Sequence, residues 1–449
     1  MEPLYSLSWV ETQVAHTIEI WQRSAAGSAQ DKQAQGSPQF SPGEQRIREQ
    51  AYDRGLLAAE REVKLVPRSD VERRERQGRI LAFFSQFSSR ALDLDAAANL
   101  LLTRDFLPVG IQLARWARRF DPDLSMADII QACRNAWTAC GMQPLLGERV
   151  RITPAILGYS LLYPYSDNYL DSDCITAETK LLFSQRFRRR LLGEKLPAAN
   201  SREAAVWRMV QLIENQYPRA AYPDVFHSLL AIHHAQEASM AQVRDYGLSE
   251  DGELLRLSCA KGGTSVLADA CLARGRLNQQ ESLFSFEWGV LLQLGDDLQD
   301  VHEDLHRGSI TLFSRAVSQD IPLDGLVVQL LDFSRHVGNR MEQLPHGSAV
   351  LKDLLRMSWR SLIIGAVANS HEYFSRSFLN DLERSSPFSF AFLRARRARL
   401  ANGQGLYSGL FDAFLETPED GSTDLPLPEK AICPGTGLEA VAAMDTLDR

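Results

Sequence analysis

The sequence predicts an all-α fold. Apolar residues recur at helical spacing from about residue 80 to about residue 415, with few interruptions. We find no series of alternating apolar and polar residues of the kind that builds a sheet. Short breaks are predicted where Pro or Gly punctuates the pattern: Pro108, Asp121-Pro122, Gly147, Leu196-Pro197, Tyr217-Pro218 and Tyr222-Pro223.

The two ends of the chain differ from this helical centre. Residues 3–23 predict a short helix, whereas residues 24–44 are rich in Gly, Ser, Gln, Ala and Pro, as flexible linkers are. Residues 46–75 are highly charged and predict a helix with little burial. The predicted organisation is an N-terminal extension over 1–74, one α-helical bundle domain over 75–415 and a disordered tail over 416–449.

A row of carboxylates follows an apolar helical run near residue 296. Asp296, Asp300 and Asp304 stand at i, i+4 and i+8, and therefore line one helix face about one turn apart; Asp297 and Glu303 flank them. Like charges at this spacing destabilise a helix, and burial makes them costlier still. Such a row needs cations, and hard oxygen ligands suit Mg²⁺.

A second acidic cluster follows another apolar helical run, residues 152–163. Asp167 and Asp171 stand at i, i+4, with Asn168 beside them. If the two clusters face each other across a cavity, they form a clamp for several Mg²⁺ ions and a diphosphate.

These segments resemble the aspartate-rich motifs of the class I isoprenoid synthase superfamily, which includes prenyl diphosphate synthases, squalene and phytoene synthases, and ionising terpene cyclases. Asp167-Asn-Tyr-Leu-Asp171 is similar to the first motif, with Asn168 in place of its second Asp. Asp296-Asp-Leu-Gln-Asp300 matches the second motif of prenyl synthases. Asp300-Val-His-Glu-Asp304, followed by Arg307-Gly, resembles squalene and phytoene synthases.

The resemblance implies a helical bundle with a central active-site cavity, and a role for each matching residue. Lys261, in Lys261-Gly-Gly-Thr, and Arg186, in the basic run 186–190, are then expected to bind diphosphate. The expected catalytic residues are Asp167, Asp171, Asp296 and Asp300, and the expected Mg²⁺ ligands are Asp167, Asn168, Asp171, Asp296, Asp297, Asp300 and Asp304.

Several of these features have simpler interpretations. Lys261 could cap a turn at Gly262-Gly263, and the basic run 186–190 could be a solvated helix face. His233 and His234 are either core residues or cavity walls. The basic cluster 394–399 is either solvated, a lid over the diphosphate or a contact with an anionic membrane.

Composition excludes several classes of function. The 449 residues carry 49 basic and 57 acidic side chains, a net charge of -8, which argues against a general nucleic-acid binder. The six cysteines show no zinc-ligand spacing, and no apolar run reaches the length of a membrane span, so we expect a cytoplasmic protein with reduced thiols and no integral membrane segment.

The function expected from the resemblance is that of a Mg²⁺-dependent class I terpene synthase. It would ionise a linear prenyl diphosphate, then cyclise the cation or eliminate a proton. The alternatives are a prenyltransferase, either chain-elongating or head-to-head, and a non-catalytic subunit that kept the fold. Dimers are common among similar proteins, so the resemblance also allows a homodimer.

Overall fold

The computed structural model describes residues 4–25, 38–171, 175–242, 251–402 and 405–415. Within these ranges, the description excludes a few side chains: residues 25, 163, 167, 168, 171, 240–242, 400–402 and 405–408.

The described chain is built from helices joined by short loops, with no β-strand in these ranges. In order the helices are α1 (Leu7–Ala25), α2 (Pro42–Lys64), α3 (Asp70–Arg90), α4 (Ala96–Leu101), a π-helical turn (Leu102–Phe106), α5 (Leu107–Phe120), α6 (Met126–Leu145), α7 (Pro154–Asp171), α8 (Ala177–Leu191), α9 (Ser201–Gln216), α10 (Pro223–Gln242), α11 (Asp251–Arg274), α12 (Gln279–Gln299), α13 (Val301–Arg307), α14 (Leu312–Ser318), α15 (Asp324–Glu342), α16 (Ala349–Asn369), a 3₁₀ turn (His371–Tyr373), α17 (Arg376–Glu383), α18 (Phe390–Asn402) and α19 (Gly405–Leu415). The predicted all-α class is confirmed, whereas the isoprenoid synthase bundle stays a prediction.

Helix α11 lies at the centre of the bundle, packed against α1, α6, α10 and α12. Its residues from Val266 to Leu272 are buried without interruption, so this stretch meets neighbours on every side. Helix α12 adds Phe284 and Phe286, both fully buried, and packs in turn on α15 and α16. The core therefore surrounds the α11–α12 pair.

The N-terminal helix α1 also buries its apolar face in this core. Val10 and Val14, one turn apart, are both buried. Trp21 meets Phe333 edge to face, with ring centroids 6.2 Å apart, and the Tyr5 hydroxyl lies 3.0 Å from Ser282 Oγ. The short helix predicted over 3–23 is present, and it shares the bundle core although it lies within the predicted extension.

A second, smaller apolar cluster joins helices α2 and α3 to α19, the last described helix. Ala59 of α2 and Ile80 of α3 pack with Leu410 and Phe414 of α19. Most of α2 is exposed or half-buried, as its charge predicted. Residues 26–37 of the predicted linker and the whole predicted tail, 416–449, lie outside the described residues.

Most of the predicted breaks separate helices, but the one at Pro108 is wrong. There the helical backbone continues from α4 into α5 through the π-helical turn, and Pro108 occupies the first turn of α5. A π turn shifts the backbone hydrogen bonds, which accommodates a residue that has no N–H to donate. The predicted cap of α6 is present: Ser125 Oγ accepts a hydrogen bond from the Asp128 N–H at 3.1 Å.

Two glycines let α11 and α12 approach each other unusually closely. A Cβ on Gly289 would lie 2.0 Å from the carbonyl oxygen of Gly262. The hairpin between the helices is fixed by a capping box, in which Asn278 and Glu281 exchange hydrogen bonds, and Arg274 pairs with Glu281 at 2.5 Å. The α11–α12 pair is therefore held together by close backbone packing and by these hydrogen bonds.

No helix in the described ranges has the length and apolar character needed to cross a membrane.

Candidate functional site

A cavity of about 330 Å³ opens between the central helices. Its walls come from α6, α7, α8, α10, α11, α12 and α16. The helices that carry the two acidic clusters, α7 and α12, therefore border the same space. The apolar walls are formed by Leu162, Phe187, Leu191, Leu229, Ile232, Val266, Leu292 and Leu362.

Charged groups from three helices meet on the cavity wall. Asp296 of α12, Lys261 of α11 and Arg134 of α6 all line it. Arg134 Nη2 lies 3.5 Å from Asp296 Oδ1, and the Asp296 side chain is 43% exposed. Burial raises the pKa of Asp296 to about 6, as do Asp300 and Asp297, while Arg134 and Lys261 oppose the rise.

The predicted row of carboxylates keeps its helical spacing. Helix α12 gives way to α13 at Asp300, yet the Asp300 N–H donates to the Asp296 carbonyl and the Asp304 N–H to the Asp300 carbonyl, both at 2.9 Å. Burial and the charges of Asp297 and Asp300 raise the pKa of Asp304 to about 7. Negative charge in the row is therefore only partly compensated by the neighbouring cations.

Asp297 faces a different way from its neighbour Asp296. It is buried, and its two oxygens accept hydrogen bonds from Ser258 Oγ at 2.7 Å and Gln293 Nε2 at 2.8 Å. It lies outside the cavity lining. The Ser258 contact ties α12 to α11, the Gln293 contact lies within α12, and a metal role for Asp297 stays a prediction.

The first acidic cluster lies at the C-terminal end of α7. The backbone there is helical through Asp171, and Tyr159, Leu162 and Ser166 of the same helix line the cavity. The side chains of Asp167, Asn168 and Asp171 lie outside the described residues, so their metal role stays a prediction.

Lys261 lies inside α11, so the alternative of a capped turn at Gly262-Gly263 is wrong. The two glycines are helical, and their missing side chains make room for α12 and Phe286. This packing places Lys261 on the cavity wall together with Asp296.

Arg186 lies outside the described cavity lining. Its guanidinium donates two hydrogen bonds to Glu203, at 2.8 and 2.9 Å, and one to the Pro197 carbonyl at 2.6 Å. Arg190 of the same basic run pairs with Glu214. Both guanidinium groups are thus engaged in ion pairs, and a diphosphate role for Arg186 stays a prediction.

Sequence reasoning missed Arg134 as a cavity cation. It lies within the apolar run 129–140, and a lone guanidinium in such a run was the signal that could have found it. His233 does line the cavity, as one of its two interpretations proposed. It lies 3.5 Å from Glu237, and its hydrogen bond lowers the pKa of Glu237 to about 2, against the effect of burial and with help from Ser184.

Two arginines of the basic cluster 394–399 form ion pairs with helix α2. Arg396 pairs with Asp53, and Arg399 with Glu60. Burial raises the pKa of Asp300, and the charge of exposed Arg397 is one of the smaller effects that oppose this rise.

The acidic row offers carboxylate oxygens, the type of ligand that Mg²⁺ prefers. Among the described residues, no three His, Cys, Asp or Glu side chains are gathered around one point. Mg²⁺ seldom needs such a cage, because it is usually bound through one or two carboxylates, water and substrate phosphates. Of the three carboxylates of the row, Asp296 lines the cavity, whereas Asp300 and Asp304 lie outside its described lining. Their metal role stays a prediction.

Comparisons with known proteins found no similarity: no family model, curated protein or solved structure matches the chain.

Proposed function

We propose that this chain is a Mg²⁺-dependent class I terpene synthase that ionises a linear prenyl diphosphate and releases diphosphate. The observation that carries the proposal is the cavity itself. It combines a carboxylate, two cationic side chains and a long apolar wall in one space, bordered by both helices with acidic clusters. A prenyl diphosphate needs charged groups around its diphosphate and apolar groups around its hydrocarbon chain.

The charged groups act on the diphosphate. As the carbon–oxygen bond breaks, negative charge grows on the leaving group, and the positive charges of Arg134 and Lys261 stabilise it. Asp296, Asp300 and Asp304 would hold Mg²⁺, which supplies Lewis-acid stabilisation of the same oxygens. In the free protein, Arg134 also partly neutralises Asp296.

The apolar groups act on the hydrocarbon chain. Leu162, Leu229, Leu292 and Leu362 exclude water, which would otherwise quench the cation. The ring of Phe187 can face the cation, because aromatic faces attract positive charge. A cavity of about 330 Å³ is at the lower end of the range for ligand sites, roughly 300–1,000 Å³, and favours a short chain.

A second candidate is a chain-elongating prenyltransferase. The observation that favours it is Lys261 on the cavity wall, because the Lys-Gly-Gly-Thr segment resembles the diphosphate-binding element of prenyl synthases. Such an enzyme needs isopentenyl diphosphate as a second substrate, whereas a terpene synthase does not.

Diphosphate release tests both candidates. The purified protein is incubated with Mg²⁺ and geranyl, farnesyl, geranylgeranyl or geranylfarnesyl diphosphate, with and without isopentenyl diphosphate, and the products are identified by mass spectrometry. Release from one substrate alone, with a hydrocarbon or alcohol product, supports the terpene synthase. Release that requires isopentenyl diphosphate, with a longer diphosphate product, supports the transferase.

Absence of release from every substrate would contradict both candidates and favour a non-catalytic subunit. The control for the active protein is Asp296→Asn, which should be inactive. Asp353→Asn, at an exposed carboxylate of α16 outside the described cavity lining, should keep full activity.

A further inference from the structure

The cavity has a second polar region, separate from the carboxylate row. Asp269 lines it and is only 1% exposed. Asn135 of α6 also lines it, and its side-chain amide lies 3.3 Å from Asp269 Oδ1 and 3.3 Å from Ser160 Oγ of α7. Three helices therefore meet at one polar point inside a largely apolar wall.

This point lies about two helical turns from Lys261 along α11, although Asn135 directly follows Arg134 in α6. Lys261, Ser265 and Asp269 stand at i, i+4 and i+8 on α11, and all three line the cavity. Eight residues of helix rise about 12 Å, so Asp269 lies about that far along the wall from Lys261. A ligand whose diphosphate lies near Lys261 would direct its other end towards Asp269.

One oxygen of Asp269 is left without a partner. The Asn135 amide donates a hydrogen bond to Oδ1, but Oδ2 has no hydrogen-bond partner among the described residues. Burial favours the protonated carboxyl and raises the pKa of Asp269 well above its usual range, against the effect of the Asn135 hydrogen bond. Such an acid in an apolar site donates its O–H to an oxygen acceptor.

A hydrocarbon end is a poor match for this surface. Oδ2 is already buried and unpaired in the free protein. A hydrocarbon end would leave that cost in place, whereas an oxygen that hydrogen-bonds Oδ2 would remove it. A site built to bond an oxygen discriminates against an analogue that lacks it.

We propose that the inner end of the cavity, formed by Asp269 and Asn135, binds a hydroxyl or carbonyl oxygen carried at the far end of the prenyl chain. The substrate class is then an oxygenated prenyl diphosphate, held at one end by charge and at the other by hydrogen bonds. This inference rests on the proposed function, because it takes the diphosphate to lie at the Lys261 end.

Matched ligand pairs test the inference. Geranyl and farnesyl thiolodiphosphates, in which sulfur replaces the bridging oxygen so that ionisation is suppressed, are each compared with the analogue hydroxylated at a terminal methyl group. Affinities are measured by calorimetry with Mg²⁺ present. The hydroxylated member of at least one pair should bind about tenfold more tightly, the gain from one additional hydrogen bond.

Two variants identify the side chain responsible. Asp269→Leu should abolish the preference while still binding the plain analogue. Asp269→Asn, which keeps a donor in nearly the same shape, should retain most of the preference and provides the test if the leucine variant does not fold. Thermal unfolding of both variants establishes that they are folded.

The outcomes separate this inference from the proposed function. Equal affinities within both pairs would mean that water or the protein alone satisfies Asp269, and would overturn the inference while leaving the proposed function standing. A preference that persists in Asp269→Leu would overturn it as well. Failure of every analogue to bind would overturn the proposed function and the inference together.

Discussion

At the scale of single residues, Asp296 and Asp297 are neighbours with opposite surroundings. Asp296 borders the cavity beside Arg134, and burial raises its pKa to about 6. Replacing it with Asn should lower kcat at least about 100-fold, because the proposed site would lose a charged Mg²⁺ ligand and with it Lewis-acid stabilisation of the leaving group. The melting temperature should stay the same or rise, because a partly buried charge and its like-charged neighbours are relieved. Activity within a few-fold of the unmodified protein would contradict the site.

Asp297→Ala, in contrast, should lower stability and leave Mg²⁺ binding unchanged. Ser258 of α11 would lose its acceptor across the α11–α12 interface, and Gln293 would lose its acceptor within α12, which should lower the free energy of unfolding by about 1–3 kcal/mol. The variant protein that remains folded should bind Mg²⁺ as the unmodified protein does. Chemical denaturation and a Mg²⁺ titration make the comparison. Lost Mg²⁺ binding with unchanged stability would instead support Asp297 as a metal ligand.

The arginines form a second contrasting pair. Arg134→Gln removes a cavity cation and should lower kcat/KM for a prenyl diphosphate by about 10²–10³-fold, with little change in stability, since its side chain is 59% exposed. Arg186→Gln leaves the cavity lining unchanged but weakens the ion pair with buried Glu203, so it should lower stability and keep kcat/KM. Steady-state kinetics and thermal melts of both variants decide; a large kinetic loss confined to Arg186→Gln would reverse the assignment.

At the scale of secondary-structure elements, Gly262 of α11 and Gly289 of α12 form an unusually close backbone contact. A Cβ at Gly289 would lie 2.0 Å from a backbone oxygen, so the helices must separate. Gly289→Ala should therefore lower the free energy of unfolding by about 1–3 kcal/mol or more, and should lower activity by moving Lys261 relative to Asp296. Gly365→Ala, on α16, is the matched control, because no atom outside its own helix backbone lies within 4 Å of the added Cβ.

That control should be neutral or gain about 0.5–1 kcal/mol, the usual difference between Ala and Gly inside a helix. Equal melting temperatures for the two alanine variants would show that the close approach does not limit packing.

The same contact shows what the sequence could and could not predict about these elements. The helical class and the one-turn spacing of Asp296, Asp300 and Asp304 follow from local pattern, and both are present. The direction in which Asp297 faces depends on how α12 meets α11 across the glycines, and local pattern does not contain that contact. Local pattern does not predict the ion-pair partners of the basic run 186–190 either, because Glu203 and Glu214 lie on the next helix.

At the scale of the whole molecule, the acidic row links folding to pH. The pKa values of Asp296 and Asp304 are raised to about 6 and about 7, mainly by burial and by neighbouring carboxylates, with Arg134 and Lys261 opposing the rise at Asp296. An acid with a raised pKa binds its proton more tightly in the folded protein than in the unfolded chain, where the value is near 4. Without Mg²⁺, these groups should therefore lower the free energy of unfolding as the pH rises from about 4 to about 7.

Mg²⁺ should reverse that loss, because it binds the charged carboxylates of the folded protein and so stabilises the folded state by mass action. Thermal unfolding at pH 5 and pH 8, with and without Mg²⁺, measures the effect. The ion should raise the melting temperature more at pH 8, where both groups are ionised, than at pH 5, where protons compete for the same oxygens.

In a double variant with Asp296→Asn and Asp304→Asn, the fall in stability between pH 4 and 7 should be smaller and the response to Mg²⁺ weaker. An equal Mg²⁺ response at both pH values, or a double variant that behaves as the unmodified protein does, would remove the row from the metal site and leave Arg134 and Lys261 as the charged groups that define this end of the cavity.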